Sequence, residues 1–360
     1  MRVVIAAGGT GGHVYPAIAY AKEFQQHDPG GSIVFVGTGK SLEGEILGKE
    51  GFGFEPIQVE GFVGRGVFHM IRSFVLLLKS VGRAVQILRS HHTDLVIGTG
   101  GYFSPPVVFA AWLLNIPRVL LEPNAMPGLA NRVLGPLADR VFLAFDSAVP
   151  FFSPSTVKVI GTPIRKAFVL ENAPPPPKKV SHLLIFGGSQ GARAINSAVL
   201  KAVESSARLR EQVTMTHQTG ADDYERVKAA YEQLGMMVDV RPFLFDMPCE
   251  LAKADLIVCR AGASTLAELS AYGKVGILIP FPQATHNHQE MNARAMEGAG
   301  AARVLLQSEL TGQRLAEEIE QCMTDIHHLQ EMAGRSWALR KVHATEQMVH
   351  ECLSLVGQSG

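Results

Sequence analysis

The segment Asp94-Leu95-Val96-Ile97-Gly98-Thr99-Gly100-Gly101 decides the fold, because its pattern recurs as Asp255-Leu256-Ile257-Val258-Cys259-Arg260-Ala261-Gly262. In both segments an aspartate precedes a short apolar run, and glycine follows the run, directly at Gly98 and after two further residues at Gly262. Each half of the chain also begins with such a run, which leads into Gly8-Gly9-Thr10-Gly11-Gly12-His13 in the first half and Gly187-Gly188-Ser189-Gln190-Gly191 in the second. Apolar strands separated by helical patterns indicate parallel sheets covered on both faces. We predict an α/β protein with two Rossmann-like parallel-sheet domains facing a central cleft.

The length of 360 residues suits about two domains of ordinary size. Apolar residues make up 47% of the chain and charged residues 18%, which excludes a disordered or fibrous protein. We predict an N-terminal domain over residues 1–166, a C-terminal domain over 167–340, and a final helix over 341–360 that packs back toward the first domain. The proline run 174–177 is expected to act as a stiff spacer near the boundary between the domains.

The charge of the chain is balanced overall but not along its length. Residues 1–166 hold 15 basic and 11 acidic side chains, whereas residues 167–360 hold 18 and 22. A nucleic-acid-binding protein usually shows a stronger basic excess, so this class is disfavoured and no nucleic-acid partner is expected. The basic first half is compatible with an anionic partner or surface.

Cysteine spacing and hydropathy bear on the compartment. The four cysteines lie far apart without a Cys-x-x-Cys pair, which disfavours both a disulfide framework and a cysteine zinc site and fits a reducing cytoplasm. The most apolar stretch, Val107 to Leu121, is interrupted by Asn115, Pro117 and Arg118. No stretch of about 20 residues is therefore apolar enough to span a bilayer.

Glycine after a buried strand lets backbone amides approach a ligand, and the helix that follows favours negative charge. Four such turns, two in each half, predict anion binding, although a purely structural turn also uses glycine. A nicotinamide cofactor is disfavoured because the second strand ends at Val36-Gly37-Thr38-Gly39-Lys40 without the acid that holds a ribose. A phosphate-binding P-loop is rejected because Val34 occupies its required upstream glycine position.

The turn after the later strand of the second half is more specific. Ser264 and Thr265 stand at a predicted helix start, where amides and hydroxyls suit a diphosphate, and Glu268 is placed to accept the hydroxyls of a ribose. A capping box that only ends the helix is the alternative. The segment Pro280 to Asn292 is rich in amides that can read sugar hydroxyls or merely cap a helix. A metal site at His286 and His288 is disfavoured because nearby carboxylates are missing at helical spacing.

Taken in order, the glycine turns, Glu122-Pro123-Asn124, Gly161-Thr162-Pro163-Ile164-Arg165 and the run Ala263 to Glu268 resemble glycosyltransferase family 28 over essentially the whole chain. The resemblance is to its bacterial N-acetylglucosaminyltransferases, which convert lipid I to lipid II in peptidoglycan synthesis. It implies the GT-B architecture, UDP-N-acetylglucosamine as donor, and lipid I, an undecaprenyl-diphospho-muramoyl-pentapeptide, as acceptor. It also implies inversion at the sugar, attack by the acceptor C4 hydroxyl, no cofactor, no metal, and a peripheral location on the cytoplasmic face of the bacterial cell membrane.

The resemblance implies roles for individual residues. The expected catalytic base is His13, with Glu122 in reserve, although a loop histidine that only caps or packs is the alternative for His13. The expected acceptor contacts are Gly100, Gly101 and Tyr102. The expected UDP-N-acetylglucosamine contacts are Thr10, Gly11, Gly12, Asn124, Arg165, Ser189, Asn196, Leu244, Ala263, Ser264, Thr265, Leu266, Ala267, Glu268, Gln289 and Asn292.

A basic and apolar segment in the first half predicts contact with an anionic membrane surface. Residues 61–93 hold five basic and no acidic side chains. On a helix, three of the basic residues would lie within about 40° of one another. An ordinary packed helix with a solvated basic side is the alternative. The predicted membrane patch consists of Phe68, Arg72, Phe74, Lys79, Arg83 and Trp112.

Three other functions stay open on the sequence alone. One is a different GT-B transferase of the same sugar-nucleotide type, such as a glycolipid synthase. The second is a UDP-sugar epimerase with a similar double fold. The third is a regulatory module that binds a nucleotide sugar without catalysis.

Overall fold

The computed structural model describes residues 1–8, 11–37, 47–48, 50–59, 67–284 and 287–357, and the side chains of residues 11 and 67–75 are not described. Thr10 and His286, and the side chains of Phe68, Arg72 and Phe74, therefore lie outside the described part. The backbone forms two units. The first comprises Met1–Lys166 and Lys341–Gly360, and the second comprises Ala167–Arg340.

In the described part of the first unit, seven parallel strands form one sheet in the order β3-β2-β1-β4-β5-β6-β7. The central strands are short apolar runs whose side chains are buried on both faces, as parallel sheets require. The strands are β1 (Arg2–Ala6), β2 (Ser32–Gly37), β3 (Gly53–Pro56), β4 (Leu95–Gly98), β5 (Arg118–Glu122), β6 (Arg140–Leu143) and β7 (Val157–Val159).

Helices cover both faces of this sheet, and one apolar cluster lies on each side. The last helix of the chain belongs to this unit, where Met348, Val349 and Cys352 join the cluster that also contains Tyr20 and Phe24. The helices of the first unit are α1 (Gly11–His27), α2 (Val67–Ser90), α3 (Ser104–Leu113), α4 (Leu129–Leu134) and α13 (Ala344–Gly357), with short 3₁₀ turns at Gly135–Leu137 and Asp146–Phe151.

The described part of the second unit holds six parallel strands in the order β10-β9-β8-β11-β12-β13. They are β8 (His182–Phe186), β9 (Thr214–Gln218), β10 (Asp239–Arg241), β11 (Leu256–Cys259), β12 (Gly276–Leu278) and β13 (Ala302–Val304). The proline run 174–177 lies in this unit, where Gln330 Nε2 donates to Pro177 O at 2.9 Å. The run is thus an attached surface segment of the second unit and follows the division at Lys166.

The helices of the second unit pack on both sides of its sheet. They are α5 (Arg193–Ser205), α6 (Ala207–Gln212), α7 (Tyr224–Gln233), α8 (Met247–Lys253), α9 (Ala263–Ala271), α10 (His288–Gly298), α11 (Gly312–Thr324) and α12 (Ile326–Ala338), with a 3₁₀ turn at Ala221–Asp223 and another, Lys166–Phe168, at the division between the units. The two sheets confirm the predicted fold class of two parallel-sheet Rossmann-like domains.

Both sheets reverse their strand order at one point, which lies between β1 and β4 in the first unit and between β8 and β11 in the second. In open parallel sheets, ligands bind outside the carboxyl ends of the strands at such a point. The glycine-rich turns predicted from the sequence follow these four strands. Each unit therefore presents a candidate binding edge.

Candidate active site

His13 lies in the first turn of α1, directly beyond the carboxyl end of β1. Its Nδ1 is 2.6 Å from the backbone oxygen of Thr99, which follows β4. Since a carbonyl oxygen only accepts hydrogen bonds, Nδ1 carries the proton and donates. In the neutral ring, Nε2 then holds the lone pair, and this is the tautomer that a general base needs.

Gly100 brings His13 close to a residue that the sequence did not single out. A Cβ added to Gly100, whose φ is +90°, would lie 3.4 Å from His13 Cε1 and 3.3 Å from Asn131 Nδ2. The two hydrogens of Asn131 Nδ2 go to Leu121 O at 3.1 Å and Glu122 Oε2 at 3.0 Å. Among the described residues, the buried Asn131 Oδ1 has no hydrogen-bond partner. An amide within the otherwise apolar start of α4 was the sequence signal that could have revealed it.

Glu122 ends β5 and is only 1% exposed. Its Oε1 accepts from the backbone and side-chain nitrogens of Asn124, both at 3.0 Å, and its Oε2 accepts from Gly128 N at 2.9 Å and from Asn131. Burial raises the pKa of Glu122, while these four hydrogen bonds act in the opposite direction. The four lone-pair positions of the carboxylate therefore all accept hydrogen bonds from residues 124–131.

Arg165 lies in the segment after β7, where its guanidinium carbon is 5.9 Å from the centre of the Tyr15 ring. The segment is fixed by the last helix of the chain. Ile164 N donates to Thr345 Oγ1 at 3.1 Å, and the Thr345 hydroxyl donates to Ile164 O at 2.9 Å. A Cβ on Gly161, at φ +100°, would lie 2.5 Å from Lys341 Cβ, so glycine is required for this close approach.

In the second unit, α9 begins directly after β11 and contains the predicted run 263–268. Its N-cap is Gly262, and no side chain caps the helix. The capping-box alternative is therefore wrong. Ser264 Oγ is buried without a hydrogen-bond partner among the described residues. An uncapped helix start with an unsatisfied hydroxyl is suited to bind an anion.

The turn 187–191 after β8 is exposed and leads into α5, whose N-cap Ala192 also offers no side-chain cap. Gly188 and Gly191 have φ of +90° and +74°. Ser189 is at the exposed tip of this turn. Asn196 is instead fully buried beneath it, so its side chain is set away from the turn surface.

The remaining predicted donor contacts follow the other strands of the second sheet. Leu244 is buried after β10, between Phe243 and Phe245, whose rings form an edge-to-face pair with centres 4.9 Å apart. Gln289 Oε1 accepts from Phe281 N at 3.0 Å, and the buried Asn292 donates to Ala261 O at 3.4 Å. These two amides tie α10 to the ends of β11 and β12.

Arg260 adds a positive charge at the same edge, between β11 and α9. Its guanidinium donates to Ile279 O and Pro280 O at 3.1 Å each and to Gln307 Oε1 at 2.7 Å. Burial lowers the pKa of Arg260 to about 10, which leaves it charged at neutral pH. Within the described part of the chain it forms no ion pair with a carboxylate, so its charge is available to a bound anion.

The predicted membrane patch is described only in part. Lys79 is exposed, Trp112 is 41% exposed and stacks on Phe109, and Arg83 forms an ion pair with Glu55 at 2.8 Å. Among the described helices, none is both long enough and apolar enough to cross a membrane. The described side chains also contain no cluster of three or more residues suited to hold a metal ion.

Comparison with known proteins decides the family. The sequence profile of the glycosyltransferase family 28 N-terminal domain matches residues 3–143, and that of its C-terminal domain matches residues 182–348. The chain belongs to glycosyltransferase family 28. Its sheets, and its likeness to other glycosyltransferases of known structure, give it the GT-B fold.

Family 28 relatives cover the full chain. One from an Anaeromyxobacter species is 44% identical over 99% of this chain and 94% of its own, and one from Myxococcus xanthus is 40% identical over 100% and 94%. Both are named UDP-N-acetylglucosamine–N-acetylmuramyl-(pentapeptide) pyrophosphoryl-undecaprenol N-acetylglucosamine transferase. The crystal structure of MurG from Acinetobacter baumannii superposes with a TM-score of 0.79 at 29% identity, covering 98% of this chain and 99% of that one. The predicted family is thus confirmed.

Proposed function

We propose that this glycosyltransferase moves N-acetylglucosamine from UDP-N-acetylglucosamine to the C4 hydroxyl of the N-acetylmuramic acid of lipid I, with inversion, and so forms lipid II for peptidoglycan synthesis. The substrates are supported by full-length relatives at 40–44% identity whose names state this donor and this acceptor. In an inverting transfer, the acceptor oxygen forms the new bond as UDP leaves, and one base takes the hydroxyl proton.

His13 is the proposed base. The observation that carries this assignment is the hydrogen bond of 2.6 Å from its Nδ1 to Thr99 O, because it leaves Nε2 as the basic atom. The position of His13 supports the role, since it stands at the strand-order reversal of the first sheet beside Gly100, an expected acceptor contact. Histidine also changes protonation near neutral pH without special tuning.

We propose that Glu122 positions Asn124 and Asn131 and does not accept the proton of the acceptor. A base must turn a lone pair toward the acceptor, whereas both Glu122 oxygens already accept hydrogen bonds from residues 124–131. These bonds hold Asn124 and Asn131 in place. We therefore assign the proton transfer to His13 alone.

The departing UDP gains negative charge on its diphosphate. We propose that the amides at the starts of α9 and α5, together with Arg165, stabilise this charge without a metal. The uncapped start of α9 and the unsatisfied Ser264 hydroxyl support this assignment. The other donor contacts are proposed as predicted from the sequence, with Glu268 on the ribose. The fully buried Asn196 is the exception, and we propose that it supports the turn from beneath.

The acceptor carries a lipid tail, so we propose that the enzyme works as a peripheral protein on the cytoplasmic face of the cell membrane. Exposed Leu78, Lys79, Trp112 and Leu113 lie on α2 and α3, which pack against each other. Aromatic and apolar side chains beside a cation suit the interface of an anionic bilayer.

The test is a transfer assay with purified protein, radiolabelled UDP-N-acetylglucosamine and a lipid I analogue. We expect a labelled disaccharide-lipid product, no product without the analogue, and an unchanged rate in EDTA. UDP release without need of an acceptor, or donor binding without product for any polyprenyl-diphosphate sugar, would contradict the proposal. A rate lost in EDTA and restored by a divalent cation would contradict the metal-free assignment.

A further inference from the structure

Polar side chains form a connected chain in the core of the second unit, beneath the turn 187–191. The chain joins Tyr231 on α7, His217 on β9 and Asn196 on α5, and each is at most 1% exposed. The mechanism above uses neither Tyr231 nor His217. Buried polar groups are costly unless they are hydrogen-bonded, so their partners indicate what the chain supports.

The hydrogen bonds of Asn196 determine which atom donates and which accepts along this chain. Its Nδ2 donates to Thr219 O at 3.0 Å and to Asp223 Oδ2 at 2.8 Å, which uses both hydrogens. Asp223 is itself held by Arg226 at 2.6 Å. Asn196 Oδ1 therefore faces His217 Nε2 at 3.1 Å and must accept, so Nε2 carries the ring proton.

The other end of the chain follows from this assignment. With the proton on Nε2, His217 Nδ1 accepts, and the Tyr231 hydroxyl donates to it at 2.9 Å. Burial lowers the pKa of His217 to about 3, although Asp223 acts in the opposite direction. The ring is therefore neutral at physiological pH, and its Nε2–H tautomer is set by Asn196 and matched by the Tyr231 hydroxyl.

The chain reaches the turn through residues 218–220. A Cβ on Gly191 would lie 1.9 Å from Thr219 O, and one on Gly220 would lie 2.0 Å from Gln190 O, so the two backbone segments touch directly. Gln218 Nε2 also donates to Gly188 O at 2.8 Å. The turn cannot shift unless the segment held by Asn196 shifts with it.

We propose that His217 and Tyr231 are positioning residues that set, through Asn196 and Thr219, the place of the turn 187–191 and of the amides at the start of α5. The proposal rests on the proposed function, in which those amides hold the donor diphosphate. The chain then acts on donor binding without touching the donor. A misplaced turn weakens several amide contacts at once, because all of them belong to one rigid backbone segment.

The decisive experiment compares two replacements of His217 with a matched control. In His217→Gln the side-chain amide nitrogen reaches the position of Nε2 and still donates to Asn196, whereas in His217→Asn the shorter side chain cannot. We expect the KM for UDP-N-acetylglucosamine to stay within about twofold for His217→Gln and to rise about tenfold for His217→Asn. The control, Val227→Ala, removes two methyl groups from a fully buried side chain of α7 outside the hydrogen-bonded chain and should leave this KM unchanged.

A second experiment removes only the Tyr231 hydroxyl. In Tyr231→Phe, His217 Nδ1 loses its donor while Asn196 Oδ1 still accepts from Nε2, so in ¹⁵N spectra of the imidazole we expect the Nε2–H tautomer to persist and the Nδ1 signal to shift from its wild-type position. The donor KM and the Kd for UDP, measured by calorimetry, should rise about threefold to tenfold while kcat changes less. Wild-type His217 should keep its neutral spectrum from pH 5 to 8.

The outcomes separate this proposal from the function on which it rests. Wild-type enzyme that fails to bind UDP-N-acetylglucosamine contradicts the proposed function, and this inference falls with it. If the wild type transfers sugar, equal donor KM values in His217→Gln and His217→Asn, or a rise in Val227→Ala that matches its loss of stability, show that the chain is only structural. An Nδ1–H tautomer in the wild type would also overturn the proposal.

Discussion

The two units carry different chemical groups at the same edge of the same kind of sheet. In the first unit, the strand ends carry ionisable side chains, the imidazole of His13 and the carboxylate of Glu122. In the second, the ends of β8 and β11 lead into helices whose first turns have no side-chain caps. The turn 187–191 is supported from beneath by the neutral imidazole of His217 and the side-chain amide of Gln218.

Under the proposed function, this difference divides the reaction between the two units. A proton acceptor needs a lone pair held in a fixed direction, and in the proposed role of His13 the hydrogen bond to Thr99 O fixes that direction. A diphosphate needs several donors and no nearby unpaired carboxylate, which suits the second unit. There, Asp223 is paired with Arg226, so its negative charge is compensated. The predictions below test whether the two edges are separable in function.

The largest expected effect comes from His13. Asparagine at this position keeps a donor near Nδ1 for Thr99 O but has no atom at Nε2. We expect His13→Asn to lower kcat about 10²–10⁴-fold with donor KM nearly unchanged. The measurement is the steady-state rate with lipid I analogue, and His343→Ala, at an exposed histidine of the same unit, serves as control. Near-normal turnover in His13→Asn would exclude His13 as the base.

Glu122 tests the positioning role in that unit. Glutamine keeps the size of the side chain. Its NH₂ group, however, faces N–H donors whose hydrogen bonds the carboxylate accepts, so some of these bonds are lost. We expect Glu122→Gln to lower the free energy of unfolding by about 1–3 kcal/mol and turnover by about tenfold, with the pH profile unchanged. Chemical denaturation and pH–rate curves provide the readouts. If the fall of the rate at acidic pH disappears in Glu122→Gln, Glu122 is instead the base.

Glu268 probes the binding edge of the second unit. Removal of a carboxylate that accepts ribose hydroxyls should raise the donor KM about tenfold and change kcat less. Glu268→Ala is compared with Glu309→Ala, an exposed glutamate of the same unit. Equal donor KM values in the two variants would contradict the ribose contact.

The neutral His217 predicts how the stability of the second unit depends on pH. Its pKa is about 3 in the folded protein and 6.5 as the ordinary value, so between these pH values the unfolded chain binds a proton that the folded chain does not. Stability is therefore lost as pH falls below 6.5, by at most about 1.4 kcal/mol per pH unit from this group. Urea denaturation followed by Trp337 fluorescence, in a Trp112→Phe background, measures this slope. His217→Gln should flatten it, and an identical slope would contradict the assignment.

The smallest effect concerns the membrane patch. One lysine near an anionic surface contributes about 1 kcal/mol, so Lys79→Ala should weaken sedimentation with phosphatidylglycerol vesicles about fivefold at low salt. Lys228→Ala, at an exposed lysine of the second unit, should change nothing. Wild-type protein that does not sediment with these vesicles would exclude the patch.

Much of the fold was predictable because central parallel strands are apolar on both faces. The strands β4 and β11 begin one residue after the aspartate of the two quoted segments, and β1 and β8 lie just before the glycine turns that open each half. The strands β3, β6, β7 and β13 were missed, since three or four residues at or near a sheet margin do not show a periodic pattern. The segment Gly53–Pro56, for example, contains no buried run and a single strand former, Phe54, beside glycine, glutamate and proline.

The candidate site was predictable where it is local in sequence. Glycine after a strand marks a turn by itself, so the four turns could be identified. Whether the α9 start is capped depends on which residue stands at the N-cap, and only the structure identifies Gly262 there. Asn131 and His217 could not be found, because their roles come from partners that are distant along the chain, such as Asn196 for His217.

The hydrogen bonds between Thr345 and Ile164 have a consequence for how the protein is made. The first unit is completed by α13, which the ribosome delivers only after the entire second unit. At roughly 5–20 residues per second, the nascent first unit waits on the order of ten seconds or more with the surface beneath Met348 and Val349 uncovered. Arg165, one residue beyond Ile164, reaches its final place only after Thr345 has emerged from the ribosome and bound Ile164. The enzyme therefore becomes competent as a whole, and a chain cut short before residue 345 has neither a finished first unit nor an ordered Arg165 segment.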